Sequence, residues 1–392
     1  MRNFEALRYF MEHLMLGRST GSVVEVFLQG EQIYRHICGF SDWENKIPLT
    51  GNELYNIYSC SKVATVTAAM QLVEQGKCHL DDPLYAYIPE YREMYIQKDG
   101  NLEKAHNPIT LRHLFTMTAG LTYNYTSDAF VRARQRTNGN MDTLETIRCL
   151  ASDPLSFEPG EQWQYSLCHD VLAAVVEVIS GMKFRDYMRT YMFEPLQMVE
   201  TSYHHTPETL ERTAQQYTYE PDTDGKTDTL YGNKSGFGEA GAFKNVGKHN
   251  YLVFGPEYDN GGAGIITSVS DYSKLTAALA NYGMGLTGER ILKPESVDLL
   301  RQNALNPAQL KEFSSSEVWR GCGYGLGVHT VVDKESSGMC CTLGEFGWGG
   351  AAGSTVMVDP DMGLSVFFAQ HMLNPREYYY QPRLRDLVYR CL

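Results

Sequence analysis

The sequence predicts an α/β (α+β) protein with one antiparallel sheet formed by both chain termini and flanked by helices. A mainly helical region is inserted between the two contributions. Three observations predict this. Strand-like runs cluster at the two ends of the chain, at residues 23–28 and 32–38 and again at 324–332, 354–358 and 364–370. From about residue 61 to 200 the apolar residues recur at helical spacing. No internal repeat or low-complexity segment interrupts the pattern. A chain of 392 residues, 43% hydrophobic and 21% charged, is long enough for two or three domains or one large fold with an insertion. We expect a sheet domain from residues 1–62 and 264–392, and a mainly helical domain from 63–263.

In chain order, Phe4, Leu7, Phe10, Met11 and Leu14 predict a helix over 4–16, broken by Gly17 to Gly21. The first two strands read as a hairpin turning at Gly30-Glu31. Residues 61–75 predict a helix that Gly76 stops. Further helices are expected at 111–117, in the 130s to 140s, at 169–180 and at 184–193. Residues 202–260 are polar and rich in Tyr and Gly, with weak periodicity, and read as long loops or a lid. Helices return at 270–281 and 294–303, and a last one closes the chain from about 376 to 391.

Composition excludes several functions. Lys plus Arg is 34 and Asp plus Glu is 47, a net charge of −13 with no basic cluster, so a phosphate backbone would be repelled and no nucleic-acid partner is expected. The most apolar stretch, 171–182, is too short to span a bilayer and carries Glu177. The first residues lack the charged and apolar regions of an export signal. Nine cysteines, an odd number at irregular spacing, fit reduced thiols and a cytoplasmic setting. No Cys/His cluster has the spacing of a metal site, and His204-His205 read as surface or pocket polar residues.

Three short motifs in the sequence match chemical signatures by their letters. Gly17-Arg18-Ser19-Thr20-Gly21 spells a nucleophile elbow, but a helix precedes it and a strand follows, the reverse of the required context. Gly347, Gly349 and Ala352 spell a dinucleotide fingerprint, but a strand follows where a helix N-terminus must face the pyrophosphate. Ser-x-x-Lys occurs twice. Ser180 and Lys183 straddle a helix end at Gly181. Ser59 and Lys62 stand at the start of the 61–75 helix, where residues three apart share a face. There Ser59 also gains free N–H donors and the positive end of the helix dipole, which suit a developing oxyanion. An N-cap serine beside a solvated lysine is an equally good local reading.

Segments further along the chain break the tie. Tyr58-Ser59-Cys60-Ser61-Lys62, then Thr110 to Leu121 with its Ala-Gly-Leu stop, then Phe157-Glu158-Pro159-Gly160-Glu161-Gln162-Trp163-Gln164-Tyr165-Ser166, then Gly261-Gly262-Ala263-Gly264, then Trp348-Gly349-Gly350 follow one another in order. Together they resemble the serine β-lactamase and penicillin-binding superfamily, in the class C β-lactamase-like branch that includes esterases and D-Ala-D-Ala carboxypeptidases. The resemblance covers roughly residues 20–375 and implies a β-lactamase/transpeptidase-like fold.

The resemblance implies roles. Ser59 is the expected nucleophile, with Lys62 and Tyr165 sharing the proton transfer. A free phenol titrates near pH ~10, so a tyrosine base needs a cation beside it, and a desolvated lysine could equally serve as the base. The backbone N–H groups of Ser59 and Ala351 are the expected oxyanion hole. Trp348, Gly349, Gly350, Leu167 and Tyr123 are expected to bind substrate. Two positions depart from the family pattern. Leu167 stands where Asn or Asp is usual after Tyr-x, and Trp348 stands where a β-lactamase has a polar group for the substrate carboxylate. Lys234-Ser235-Gly236 spells the missing triplet, but lies before the Gly261 turn and reads as coincidence.

Both departures point to esterase-type hydrolysis of small esters or amides. The rival readings are a β-lactamase or D-Ala-D-Ala-type carboxypeptidase and, from another class, a non-catalytic binding protein on the same fold. The expected partner is a small-molecule ester, amide or lactam, and the chemistry requires no cofactor or metal. Of the Tyr-rich stretch, Tyr203, Tyr217, Tyr219, Tyr231, Tyr251 and Tyr258 are candidate wall residues, with only one or two expected at the pocket.

Overall fold

The computed structural model describes residues 2–14, 18–221 and 241–392. Its strands begin with β1 (Gly21–Leu28), β2 (Glu31–Asp42), β3 (Ile47–Pro48) and β4 (Leu54–Asn56). Next come β5 (Tyr95–Lys98), β6 (Asn101–Lys104), β7 (Gln216–Pro221), β8 (Gly241–Gly247) and β9 (Ile266–Ser268). The last are β10 (Cys322–Tyr324), β11 (His329–Val331), β12 (Phe346–Gly349), β13 (Thr355–Asp359) and β14 (Leu364–Gln370). One antiparallel sheet has the order β10-β11-β12-β13-β14-β1-β2-β3, so the two ends of the chain meet in its middle. β1 pairs with β14 from Ser22↔Gln370 to Leu28↔Leu364.

β1 is apolar almost throughout because both its faces are covered. Val24 and Val26 pack with Leu7, Phe10 and Met11 from the N-terminal helix and with Leu384 and Val388 from the C-terminal one. Val23 joins the larger core on the other side, with Tyr272, Leu275 and Leu279 of the helix Val269–Ala280. A short continuous apolar run is what such a two-sided strand requires. The hairpin turns at Gln29 and Gly30, φ +52° and +81°, one residue earlier than the sequence suggests. Positive φ at both central positions matches the right-handed twist of the paired strands.

Several elements differ from the sequence reading. The first helix is Glu5–Tyr9 and continues as a wider π turn over Phe10–Leu14. The helical stretch of the 130s to 140s is two helices, Asp128–Arg136 and Thr143–Leu150, because Ser127 and Asp142 each cap an N-terminus. The expected strand at 324–332 is two, β10 and β11, reversed at Gly325-Leu326-Gly327. Residues 202–260 are not all loop. They hold a helix, Pro207–Arg212, and the ribbon β7–β8, whose Tyr217 and Tyr219 pack with Phe243 against Trp43. Gly17, Tyr231 and Lys234-Ser235-Gly236 lie outside the described residues.

Candidate active site

The chain leaves β4, which is paired with β9, and makes a tight 3₁₀ turn over Tyr58–Cys60 before the helix Ser61–Glu74. Tyr58 has φ +43°, a left-handed conformation that costs a bulky residue on the order of 1–3 kcal/mol. It is held there by complete burial and by its hydroxyl, which donates to Gln216 Oε1 at 2.8 Å. This turn presents Ser59 half-buried at the start of the helix, as the Ser-x-x-Lys spacing implies. Cys60 points the other way. Its thiol is fully buried, accepts from Ser354 Oγ at 3.2 Å and contacts Trp348 O at 3.6 Å, and burial pushes its pKa up to about 12.

Lys62 is fully buried one turn along the helix. Its Nζ donates to Gly262 O at 2.7 Å and to Ser59 Oγ at 3.2 Å. The glycine turn that receives it is pinned to the same helix. Thr65 Oγ1 donates to Gly261 O at 2.6 Å, and Ile265 N–H donates to Ser61 Oγ at 3.0 Å. A Cβ on Gly262 would lie 2.6 Å from Asp170 Oδ2 and 3.3 Å from Lys62 Nζ, so this position has no space for a side chain.

Tyr165 closes the group from the other side. Lys62 Nζ stands 4.6 Å from the centre of its ring and 5.9 Å from that of Tyr123. The Tyr165 hydroxyl oxygen accepts from the indole N–H of Trp348 at 3.1 Å. Trp348, on β12, is itself stacked. Its ring lies 5.5 Å from Tyr165 at 28° and 5.0 Å from Trp319 at 9°. Five sequence-predicted residues, Ser59, Lys62, Tyr165, Tyr123 and Trp348, therefore meet at one place.

The remaining predicted residues adjoin it. Gly349 ends β12 and Gly350 follows it; Gly350 N–H bonds Ser354 O at 2.8 Å to form the turn that carries Ala351. Ser354 Oγ donates to Ile57 O at 2.9 Å, tying that turn to the segment just before Ser59. A Cβ on Gly350 would come within 2.3 Å of Ile57 O, which explains glycine there. Ala351 packs in a small cluster with Tyr58, Ala263 and Leu252. Leu167 is buried in the main core at the start of the helix Cys168–Ser180.

Sequence reasoning missed Asp170, three residues beyond Leu167 and on the same side of that helix. It is 1% exposed, accepts from the Tyr258 hydroxyl at 2.9 Å, and shares Gly262 as a neighbour with Lys62. Burial raises its carboxyl to about 6, with the Lys62 charge opposing the rise. The signal available was an aspartate one turn past the Tyr-x-Asn position, directly before the apolar run 171–176. Of the tyrosine-rich stretch, Tyr258 reaches the site through Asp170, and Tyr251 packs on Tyr58 with ring centres 5.4 Å apart. Tyr203 packs on Phe184 and Phe193, with its ring edge behind the glycine turn at Gly264. Phe254 contacts Tyr125 at 4.7 Å, so the wall beyond Tyr123 is aromatic. His204 bonds the buried Asp259 at 2.8 Å, and His205 bonds Asn56 Oδ1 at 3.2 Å. Among the described residues no group of three or more His, Cys, Asp or Glu side chains is placed to hold a metal ion. No helix among them is long and apolar enough to cross a membrane.

A mixed α/β fold with a serine and a buried lysine at the mouth of one helix, beside a tyrosine, defines a serine hydrolase. The comparisons agree: the family model described as Beta-lactamase matches residues 7–389, and the chain belongs to that family. It is 31% identical over 374 residues to Esterase EstB of Burkholderia gladioli, covering 91% of this chain and 87% of that protein. It is 27% identical to the Lovastatin esterase of Penicillium rubens, covering 76% and 72%. Among solved structures, EstCE1, described as a hydrolase with promiscuous acyltransferase activity, superposes with a TM-score of 0.77 at 25% identity, covering 98% of each chain.

Proposed function

We propose that the protein hydrolyses esters, through an acyl-enzyme on Ser59, and that its substrates need no anionic group for recognition. The observation that carries this reading is the pair of contacts that close the site: Lys62 Nζ at 3.2 Å from Ser59 Oγ, and the Trp348 indole N–H committed to Tyr165. Where a lactam carboxylate would need a cation or a free donor, the strand offers an apolar ring whose one N–H is already used. The named esterases among its relatives support the same reading.

Ser59 Oγ attacks the ester carbonyl carbon, and its proton passes to the Lys62–Tyr165 pair. The carbonyl oxygen becomes an oxyanion received by the Ser59 and Ala351 N–H groups, on segments that Ser354 ties together. Collapse breaks the ester C–O bond, and the leaving alkoxide takes back the proton. Water then cleaves the acyl-Ser59 bond by the same proton route, releasing acid and free serine. Asp170 acts through Lys62, balancing a buried ammonium that would otherwise lack a counter-charge. The aromatic wall of Tyr123, Tyr125 and Phe254 suits an apolar acyl chain. Nine unpaired thiols fit a reducing compartment such as the cytosol.

The test compares initial rates on p-nitrophenyl butyrate and a chromogenic cephalosporin, with Ser59→Ala as the blank. Faster ester turnover that disappears in the variant is expected. Faster cephalosporin turnover would overturn the argument from Trp348 and favour a β-lactamase.

A further inference from the structure

A second concavity lies behind the aromatic stack. Its volume is about 190 Å³, room for a small organic group but less than the ~300 Å³ at which pockets for drug-sized ligands begin. Trp319, which stacks on Trp348, forms one wall, and the first turns of the helix Glu377–Cys391 form another. It adjoins the catalytic strand: Gln381 lines it, and the Gln381 amide nitrogen stands 2.8 Å from where a Cβ on Gly349 would lie.

Its charge is one-sided. Arg385 reaches the lining but is neutralised by Glu345 at 2.8 Å, with both side chains buried. Glu317 stands exposed at the rim. Glu377 is half-buried in the cavity wall, and among the described residues its carboxylate has neither an ion-pair nor a hydrogen-bond partner. A carboxylate facing a confined cavity without a counter-charge favours a cation entering it. The Tyr378 ring adds an aromatic surface, the other usual feature of sites for organic cations.

We infer that this cavity is a substrate subsite for an organic ammonium group, held by Glu377 between Trp319 and Tyr378, so that the enzyme prefers esters bearing a positive charge. This rests on the esterase reading of Ser59 and adds a substrate class to it.

The test titrates the full-length protein calorimetrically with choline and with 3,3-dimethylbutan-1-ol, its uncharged isostere. The same two compounds are then tried as inhibitors of p-nitrophenyl butyrate hydrolysis. The inference expects choline to bind at least about tenfold more tightly than the isostere, to inhibit competitively, and to lose that advantage in Glu377→Gln. Equal binding of the two compounds, no binding of choline, or unchanged choline affinity in Glu377→Gln would overturn it. Choline binding without competition would overturn its assignment to the substrate. Calorimetry does not depend on turnover, so the inference is decided even if Ser59→Ala retains full ester hydrolysis and the esterase reading itself falls. A near-UV circular dichroism spectrum matching wild type establishes that Glu377→Gln is folded.

Discussion

The indole N–H of Trp348 donates to the hydroxyl oxygen of Tyr165 at 3.1 Å, joining residues 183 positions apart in the chain. The same indole stacks between the site and Trp319, so its plane and its donor are both fixed. In the proposed mechanism Trp348 therefore orients Tyr165, the tyrosine to which we assign part of the proton transfer. Trp348→Phe keeps a ring in the stack but removes the donor. A net hydrogen bond of about 0.5–1.5 kcal/mol predicts a kcat on p-nitrophenyl butyrate lowered roughly three- to tenfold, with a smaller change in KM. An unchanged kcat would remove Trp348 from this role.

Gly262 separates Lys62 from Asp170 with no room to spare. Gly262→Ala would push a methyl group to 2.6 Å from Asp170 Oδ2 and displace the ammonium that contacts Ser59. Misplacing a reacting group by about 1 Å can cost ~10²-fold. We expect a loss of that order in kcat/KM, while circular dichroism shows an intact fold.

Asp170 titrates within reach of an assay. With its carboxyl raised to about 6, lowering the pH through that value protonates it and removes the counter-charge of Lys62. Ester hydrolysis by the wild type should fall as pH drops below about 6. Asp170→Asn lacks the group, so its rate should be low throughout and lack this acid limb. A variant that keeps the wild-type profile would show that Asp170 does not act on Lys62.

Glu177 predicts a pH-dependent stability. Its side chain is buried, accepts the Phe184 N–H at 2.8 Å, and has its pKa raised from 4.5 to about 7 by burial. The folded state thus binds this proton more tightly than the unfolded chain, and stability falls as pH rises through the window between those values. Glu177→Gln retains an acceptor and loses the titration. Its Tm should match wild type near pH 4.5 and exceed it increasingly up to about pH 7. The upper bound on that gain is on the order of 3 kcal/mol. A Tm difference constant with pH would contradict the assignment.

Cys60 sits next to Ser59, the proposed nucleophile, without sharing its exposure. A buried thiol with its pKa pushed up to about 12 is a poor nucleophile. Treatment with iodoacetamide should leave esterase activity intact and Cys60 unmodified by peptide mass spectrometry. Inactivation accompanied by alkylation of Cys60 would contradict this.

What was legible in the sequence follows from the range of the interactions involved. Ser59 and Lys62 are three residues apart on one helix, so their meeting is a local fact. The apolar runs of β1 and β14 show their burial directly, although which strand each pairs with is a tertiary property. β4 and β9 are three residues long and pair across more than two hundred positions, leaving no periodic signal. β12 escapes a pattern search because Gly347 and Gly349 stand where side chains would alternate. At Gly347 a Cβ would lie 2.0 Å from Val356 O, so the close pairing that makes the strand also erases its signature. Only the family resemblance placed Trp348 near Tyr165. Asp170 was overlooked because an acidic residue in the first turn of a helix is ordinary. Its place across Gly262 from Lys62 depends on a glycine turn ninety residues away.

The measurement that tests the central claim most directly is mass spectrometry of the protein quenched during turnover of p-nitrophenyl butyrate. The account predicts a mass gain of one butyryl group on the peptide carrying Ser59, absent in Ser59→Ala. An adduct on another residue, or steady hydrolysis with none even when a slowly released acyl group is used, would contradict it.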